Sequence, residues 1–370
     1  MSADATDLQP LRAALRAVHD PATDREITAG QLTDLRIDGD RVIVAVDLIS
    51  PGFPLAGELD QRIRAALAPL VAGREVVIEH GLRVPSKPAR QDLNRLPTVR
   101  NIIAVAAGKG GVGKSTVTVN TAVALRRLGA RVGILDADIY GPSVPKMLGR
   151  ATTETSTTAD GNRIAPAIYN TVGAGEIAVM SVDYFVEPGQ AVVWRGPMIH
   201  KLLKQFLEDV AWGDLDYLIV DLPPGTGDAQ LSLAQLIPIT GAVIVTTPQE
   251  VALIDVRRAV SMFHKLEVPI LGVVENMSHY VCPTCGHHDA IFASGGGVSL
   301  AREIDAPLLG QVPIDAKISY GGEAGLPVVA AAPGSPQAAA LTEIAANAAM
   351  AVSRLSATGP KRSSLLRTVT

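Results

Sequence analysis

Between residues 101 and 356 the chain alternates compact apolar runs with longer stretches whose apolar residues return every three or four positions. The runs Ile102–Ala106, Arg131–Leu135, Tyr217–Val220, Ala242–Thr246, Ile270–Val274 and Leu308–Gln311 have the length and composition of buried strands. Ser115–Leu128, Ile199–Asp209, Ala229–Leu236, Leu253–Leu266, Val298–Glu303 and Pro336–Leu355 have helical periodicity. Such alternation predicts an α/β fold: a mostly parallel sheet flanked by helices, with ligands at the carboxyl ends of its strands.

Residues 1–80 are patterned differently. Leu11–Val18 and Leu59–Leu70 have helical spacing, Leu32–Ile37 and Arg41–Leu48 read as a hairpin turning at Asp38-Gly39-Asp40, and Glu75–Glu79 reads as a last strand. The expectation is a small α+β domain over 1–80 and a proline-bearing linker over 81–100 (Pro85, Pro88, Pro97). The α/β domain follows over 101–356, then a flexible tail over 357–370. Thr152–Asn162, rich in Thr and Gly, reads as a mobile loop.

Composition narrows the classes. A 370-residue chain that is 47% hydrophobic has enough apolar content for two cores. A net charge of −4 argues against binding nucleic acid by neutralising its backbone. No basic-plus-apolar N-terminal segment and no uncharged apolar run long enough to span a membrane stand out, so a soluble, cytoplasmic protein without membrane attachment is expected.

The strongest chemical signal is Gly108-Lys-Gly-Gly-Val-Gly-Lys-Ser115, set between a strand run and a helix. Glycines there let main-chain N–H groups turn toward phosphates, and the helix N-terminus favours negative charge. The expected cradle runs through Gly108, Gly110, Gly111, Val112, Gly113, Lys114, Ser115 and Thr116, with Lys114 on the β- and γ-phosphates of ATP and the Ser115 hydroxyl on Mg²⁺. The fold is therefore expected to be that of a P-loop NTPase. Asp221, ending the run Tyr217–Asp221, is the expected second Mg²⁺ holder. Asp138 is the candidate for orienting the attacking water, and Asp136 for supporting the metal shell or its loop. Leu222-Pro-Pro-Gly-Thr-Gly-Asp228 has the stiff, hinged composition of a phosphate-sensing loop, with Gly225 a candidate donor to the γ-phosphate. Asn276 carries an amide that can read a base edge, and Pro313 and Asp315 can wall it. Read alone, these three are equally ordinary caps and turns.

Lys109 is not required by the phosphate-loop pattern. Its position resembles that in the deviant phosphate loops of septum-site, chromosome-partition and nitrogenase iron proteins. That resemblance implies a homodimer in which the early lysine reaches the partner's nucleotide.

The chain's two cysteines, Cys282 and Cys285, lie in His279-Tyr-Val-Cys-Pro-Thr-Cys-Gly-His-His288. Two thiolates cannot complete a four-thiolate shell, but two such loops in a dimer can, for a 4Fe–4S cluster or a zinc ion. Zinc with His287 or His288, a redox disulfide and two buried thiols are the alternatives.

Taken together, the motifs resemble those of the Mrp/ApbC iron–sulfur cluster carrier ATPases. Lys109–Ser115, Asp136-Ala-Asp-Ile-Tyr-Gly-Pro-Ser143, Trp194-Arg-Gly-Pro-Met198, Asp221–Asp228, Glu275-Asn-Met-Ser278 and Cys282-Pro-Thr-Cys285 stand in that family's order. The resemblance implies slow ATP hydrolysis and a labile 4Fe–4S cluster held across a homodimer by the paired cysteines. It also implies delivery to apo-proteins, with a cluster assembly scaffold as a further partner. Residues 8–80 resemble an accessory domain of iron–sulfur assembly, through His19-Asp-Pro21, Ile27, Gly30 and Ser50-Pro-Gly-Phe-Pro54. Stand-alone versions often carry a cysteine where this chain has Phe53, so the domain reads as a docking module. The rivals are a MinD/ParA-like positioning scaffold, which leaves the cysteine pair without a role, and a zinc-binding regulatory ATPase.

Overall fold

The computed structural model describes residues 8–86, 96–149, 156–171, 175–185, 196–225, 227–282 and 284–358. The tail past 358, residues 87–95 of the expected linker, the start of the Thr- and Gly-rich loop, and Trp194, Arg195, Thr226 and Pro283 lie outside the described residues. The chain divides into two units, Met1–Pro85 with Met350–Thr370, and Ser86–Ala349.

In the small unit, α1 (Leu8–Leu15) precedes β1 (Leu32–Asp38), β2 (Arg41–Leu48), α2 (Ala56–Leu67) and β3 (Glu75–Leu82). β1 and β2 form an antiparallel hairpin, closed where Gly39 takes a positive φ. α2 then carries the chain over so that β3 lies parallel to β2, from Arg41 opposite Glu75 to Leu48 opposite Leu82. The core follows from the two periodicities. Val42, Val44 and Val46 alternate inward from β2, and Leu59, Ile63 and Leu67 recur every four residues on α2; all six are fully buried. Phe53 lies in this core, 4% exposed, so an aromatic ring fills the place where a thiol was in question. Buried Asp20 accepts hydrogen bonds from the N–H groups of Ala22 (2.9 Å) and Thr23 (3.0 Å) and from Gln31 Nε2 (2.9 Å), which fixes the His-Asp-Pro turn. Met350, near the end of the chain's last helix, also belongs to this core.

The large unit runs β4 (Val99–Ala107), α3 (Lys114–Arg127), β5 (Val132–Asp136), α4 (Val144–Met147), β6 (Ser156–Thr157), β7 (Ile164–Ala165), β8 (Ala167–Thr171) and β9 (Gly175–Ser181). It continues with α5 (Gly196–Glu208), β10 (Leu215–Asp221), α6 (Asp228–Leu236), β11 (Gly241–Thr246), α7 (Glu250–Lys265), β12 (Ile270–Val281) and β13 (His288–Asp289). α8 (Gly296–Glu303), β14 (Leu308–Ile314), α9 (Ala316–Glu323), α10 (Val328–Ala331) and α11 (Pro336–Thr358) follow, the last three turns or so of α11 belonging to the small unit. The main sheet has the order β13-β12-β11-β4-β10-β5-β9-β8, with β14 also beside β12. Every pairing among β14, β12, β11, β4, β10, β5 and β9 is parallel, and β8 and β13 join antiparallel. The architecture is the mostly parallel sheet flanked by helices that the alternation of apolar runs and helical stretches predicts.

Three differences from the sequence pattern have physical causes. β8, absent from the apolar-run reading, is a half-polar edge strand, and β9 beside it, also unread, opens on exposed Gly175 and Glu176 before burying Ile177, Val179, Met180 and Ser181. α9 buries none of its residues, so it shows no apolar stripe. β12 runs on to Val281 instead of ending near residue 274, past a break in its pairing with β14. Part of the Thr- and Gly-rich loop forms the two-residue β6–β7 pairing.

Ile63, fully buried on α2, is the most direct test of the small core. Ile63→Ala is expected to destabilise that unit by about 2–5 kcal/mol, seen as an earlier transition in urea unfolding followed by circular dichroism.

Candidate functional site

Parallel register sets the geometry. Asp221, at the end of β10, lies opposite Val105 of β4 and Asp136 of β5, so both carboxylates and the loop after β4 meet at one edge. Gly113 enters α3 in the left-handed region, as does Gly111 before it. A Cβ on Gly108 would strike the α7 backbone at Asp255 and Val256, so only glycine lets the loop pass there. At Gly110 and Gly111 a Cβ would meet open space, the side on which a ligand can approach.

Lys114, 6% exposed, is drawn into a carboxylate cluster. Its Nζ lies 2.7 Å from Asp221 and 3.4 Å from Asp138. Ser115 Oγ donates to one Asp221 oxygen (2.6 Å) and Thr118 Oγ1 to the other (2.7 Å). Asp136, fully buried, accepts from Ser181 Oγ (3.0 Å), Asp138 N–H (3.2 Å) and Val144 N–H (3.3 Å), the last at the start of α4. Burial, and then the neighbouring Asp221, push the Asp136 carboxyl up to about 8, against the pull of Lys114 and its hydrogen bonds. Burial raises Asp138 as well, with Lys114 opposing, and its Oδ1 is buried without a hydrogen-bond partner. Three carboxyl groups thus surround one ammonium, an arrangement short of positive charge.

Several expected residues converge and others stand elsewhere. Gly113, Thr116, Asn276, Pro313 and Asp315 line one cavity of about 350 Å³, walled on the far side by Lys146 and Met147 of α4. Asn276 directs its Nδ2 to the Val112 carbonyl (2.8 Å), and a Cβ on Gly113 would collide with that amide. Asp315 caps α9 through Lys317 N–H (2.7 Å). Gly225 gives its N–H to Ala107 O (3.1 Å), so it must leave that carbonyl before serving a phosphate. Lys109 is half-buried and makes no ion pair among the described residues. Thr118 and Ser181 were not singled out by the motifs. Thr118 sits one helical turn beyond Lys114, a spacing that could have flagged it, whereas Ser181 lies on β9, which left no clear signal.

The cysteines occupy a separate hairpin. β12 and β13 pair at Tyr280–Asp289 and Val281–His288, leaving Cys282 and Cys285 in the turn, half-buried and exposed respectively. Cys282 N–H donates to His287 O and its carbonyl accepts from Gly286 N–H, both at 2.9 Å. Main-chain N–H groups of Cys285 and then Thr284 aim at the Cys282 sulfur and hold its thiol below the usual range, which favours the thiolate a metal needs. The His279 and His288 rings stack at 5.1 Å. Among the described residues no group of three or more His, Cys, Asp or Glu is arranged to hold a metal ion, so the hairpin offers two thiols and no third ligand. No helix among the described residues is long and apolar enough to cross a membrane.

Comparison with known proteins adds the following. Residues 98–349 match the family described as NUBPL iron-transfer P-loop NTPase, and residues 8–79 match the iron–sulfur cluster assembly protein family. The iron–sulfur cluster carrier protein of Deinococcus radiodurans is 47% identical over 335 residues, 90% of this chain and 92% of its own. That of Synechocystis is 43% identical over 343 residues, 92% and 96% respectively. Among solved structures, a nucleotide-binding protein from Archaeoglobus fulgidus in complex with ADP, with cobalt found in it, is 38% identical. It superposes with a TM-score of 0.56 over 64% of this chain and 92% of its own.

The Asp136 carboxyl generates a pH prediction. Its folded value lies above the unfolded one, so the stability it contributes is complete in acid and lost as pH rises through about 8. The Tm of the nucleotide-free protein should fall by roughly 3 °C per unit between pH 6 and 8. Asp136→Asn should flatten that slope in thermal melts across the same range.

Proposed function

We propose that this chain, which belongs to the NUBPL iron-transfer P-loop NTPase family, binds and hydrolyses ATP and carries an iron–sulfur cluster on its cysteine hairpin for delivery to apo-proteins. The observation that carries the reading is one strand, β12, bearing both Asn276 at the nucleotide cavity and the Cys282–Cys285 turn.

The loop from Gly108 to Gly113 turns N–H groups toward the phosphates, and Lys114 leaves the carboxylates to meet the β- and γ-phosphates. Ser115 and Asp221 hold Mg²⁺, for which the excess of carboxylate over ammonium supports the fit. When bound, the ion shields phosphate charge. Thr118 keeps Asp221 in place throughout. Asp138, with one buried oxygen unpartnered and a raised pKa, orients the attacking water and accepts its proton. Pro313 and Asp315 wall the adenine, and Asn276 reads its edge once its amide leaves Val112.

The cluster is cargo. One chain supplies two thiolates and a four-iron cluster takes four, so two chains share one 4Fe–4S cluster as a homodimer, with Lys109 reaching the partner's nucleotide. A cytoplasmic setting fits thiols that must stay reduced. The small unit, its would-be thiol position filled by Phe53, serves as a docking module toward assembly scaffolds or recipients. A positioning scaffold would leave the hairpin thiols without work.

Lys114→Ala should lower ATP hydrolysis roughly a hundredfold or more while leaving anaerobic reconstitution with iron and sulfide intact. Cys282→Ala should do the reverse, losing the broad absorbance near 400 nm and the bound iron, expected at about two per chain. A variant lacking Cys282 that kept full iron occupancy would sink the bridging arrangement.

A further inference from the structure

After an irregularity between Val273 and Val274, β12 pairs in step with β14 from Val274 opposite Gly310 to Asn276 opposite Val312, and pairing resumes only at Tyr280 opposite Ile314. Three residues of β12, Met277 to His279, therefore face one residue of β14, Pro313. Proline has no N–H to give, so the ladder cannot continue there, and β12 bulges. Within the bulge Met277 has φ +55°, a left-handed conformation that side-chain-bearing residues seldom adopt. Ser278 Oγ donates to Val312 O at 3.1 Å, replacing a lost ladder bond, and is buried.

The two ends of this bulge are held differently. On its N-terminal side Glu275, fully buried, accepts from Gly297 N–H at the start of α8 and from Gln311 Nε2. Asn276 is tied to the phosphate loop at Val112. On its C-terminal side Cys282 follows Ser278 by four residues, carried on a two-pair hairpin. Asn276, Met277 and Pro313 all line the cavity expected to take the nucleotide base, so the inner face of the bulge is also a wall of that cavity. The cavity extends beyond the phosphate loop, and phosphates alone do not fill it.

We propose that the Asn276–His279 bulge is a base sensor: a purine in the cavity displaces Asn276 from Val112, resets the bulge and repositions Cys282 and Cys285. Ser278 is the positioning residue that transmits the change by tying the bulge to β14. This rests on the nucleotide reading of the cavity and adds to it a separate signal. Occupation by the base, in ADP as much as in ATP, sets the thiols, while the γ-phosphate acts on the loops at Asp136 and Asp221.

The test follows the iodoacetamide alkylation rate of Cys282 and Cys285 in the reduced full-length protein with Mg²⁺. Additions are ADP, ATP or inorganic tripolyphosphate, which carries the phosphates without a base, and binding of each is measured by calorimetry. ADP and ATP are expected to change the rate by similar factors, at least about threefold, and tripolyphosphate bound at saturation to change it little. Ser278→Ala should abolish the ADP response while its ADP affinity stays within about twofold of wild type. An equal response to tripolyphosphate, an ADP response unchanged in Ser278→Ala, or ADP binding with no change in alkylation each overturns the sensor and leaves the nucleotide reading standing. Absence of ADP binding overturns both.

Discussion

One ammonium among three buried carboxylates governs the nucleotide edge of the large unit. Lys114 sits between Asp221 and Asp138 with Asp136 behind them, and all four residues are buried. In that low-dielectric setting the cluster without a ligand is under-compensated, and the Asp136 carboxyl answers by keeping its proton near neutrality. Everything around the cluster serves to hold it: Ser115 and Thr118 on Asp221, Ser181 and the α4 N-terminus on Asp136.

How legible this was depends on where each element lies. The central strands β4, β10 and β11 are buried on both faces, so they appear as compact apolar runs. β8 lies at the edge of the sheet and shares its residues between core and solvent, and β9 beside it carries only the short run Ile177–Met180. The phosphate loop is readable because its chemistry demands glycine, lysine and serine at fixed spacing. Ser181 is not, because its partnership with Asp136 exists only once β9 lies beside β5. Main-chain partners leave no trace in a sequence either, which is why the bond from Asn276 to the Val112 carbonyl was unreadable.

Pro313 shows how one residue can have two consequences. As a cavity wall it offers a flat apolar surface, and as a residue without an N–H it interrupts the ladder beside β12. The bulge that results sets β12 two residues ahead of β14 where pairing resumes at Tyr280.

The hairpin brings two thiols and, among the described residues, no third ligand. Under the bridging arrangement proposed above, holding cargo is then a bimolecular property: occupancy scales with the abundance of the chain itself, by mass action. A cell that lowers the concentration of this protein would discharge it, and dilution becomes a route of unloading that requires neither a recipient nor a nucleotide.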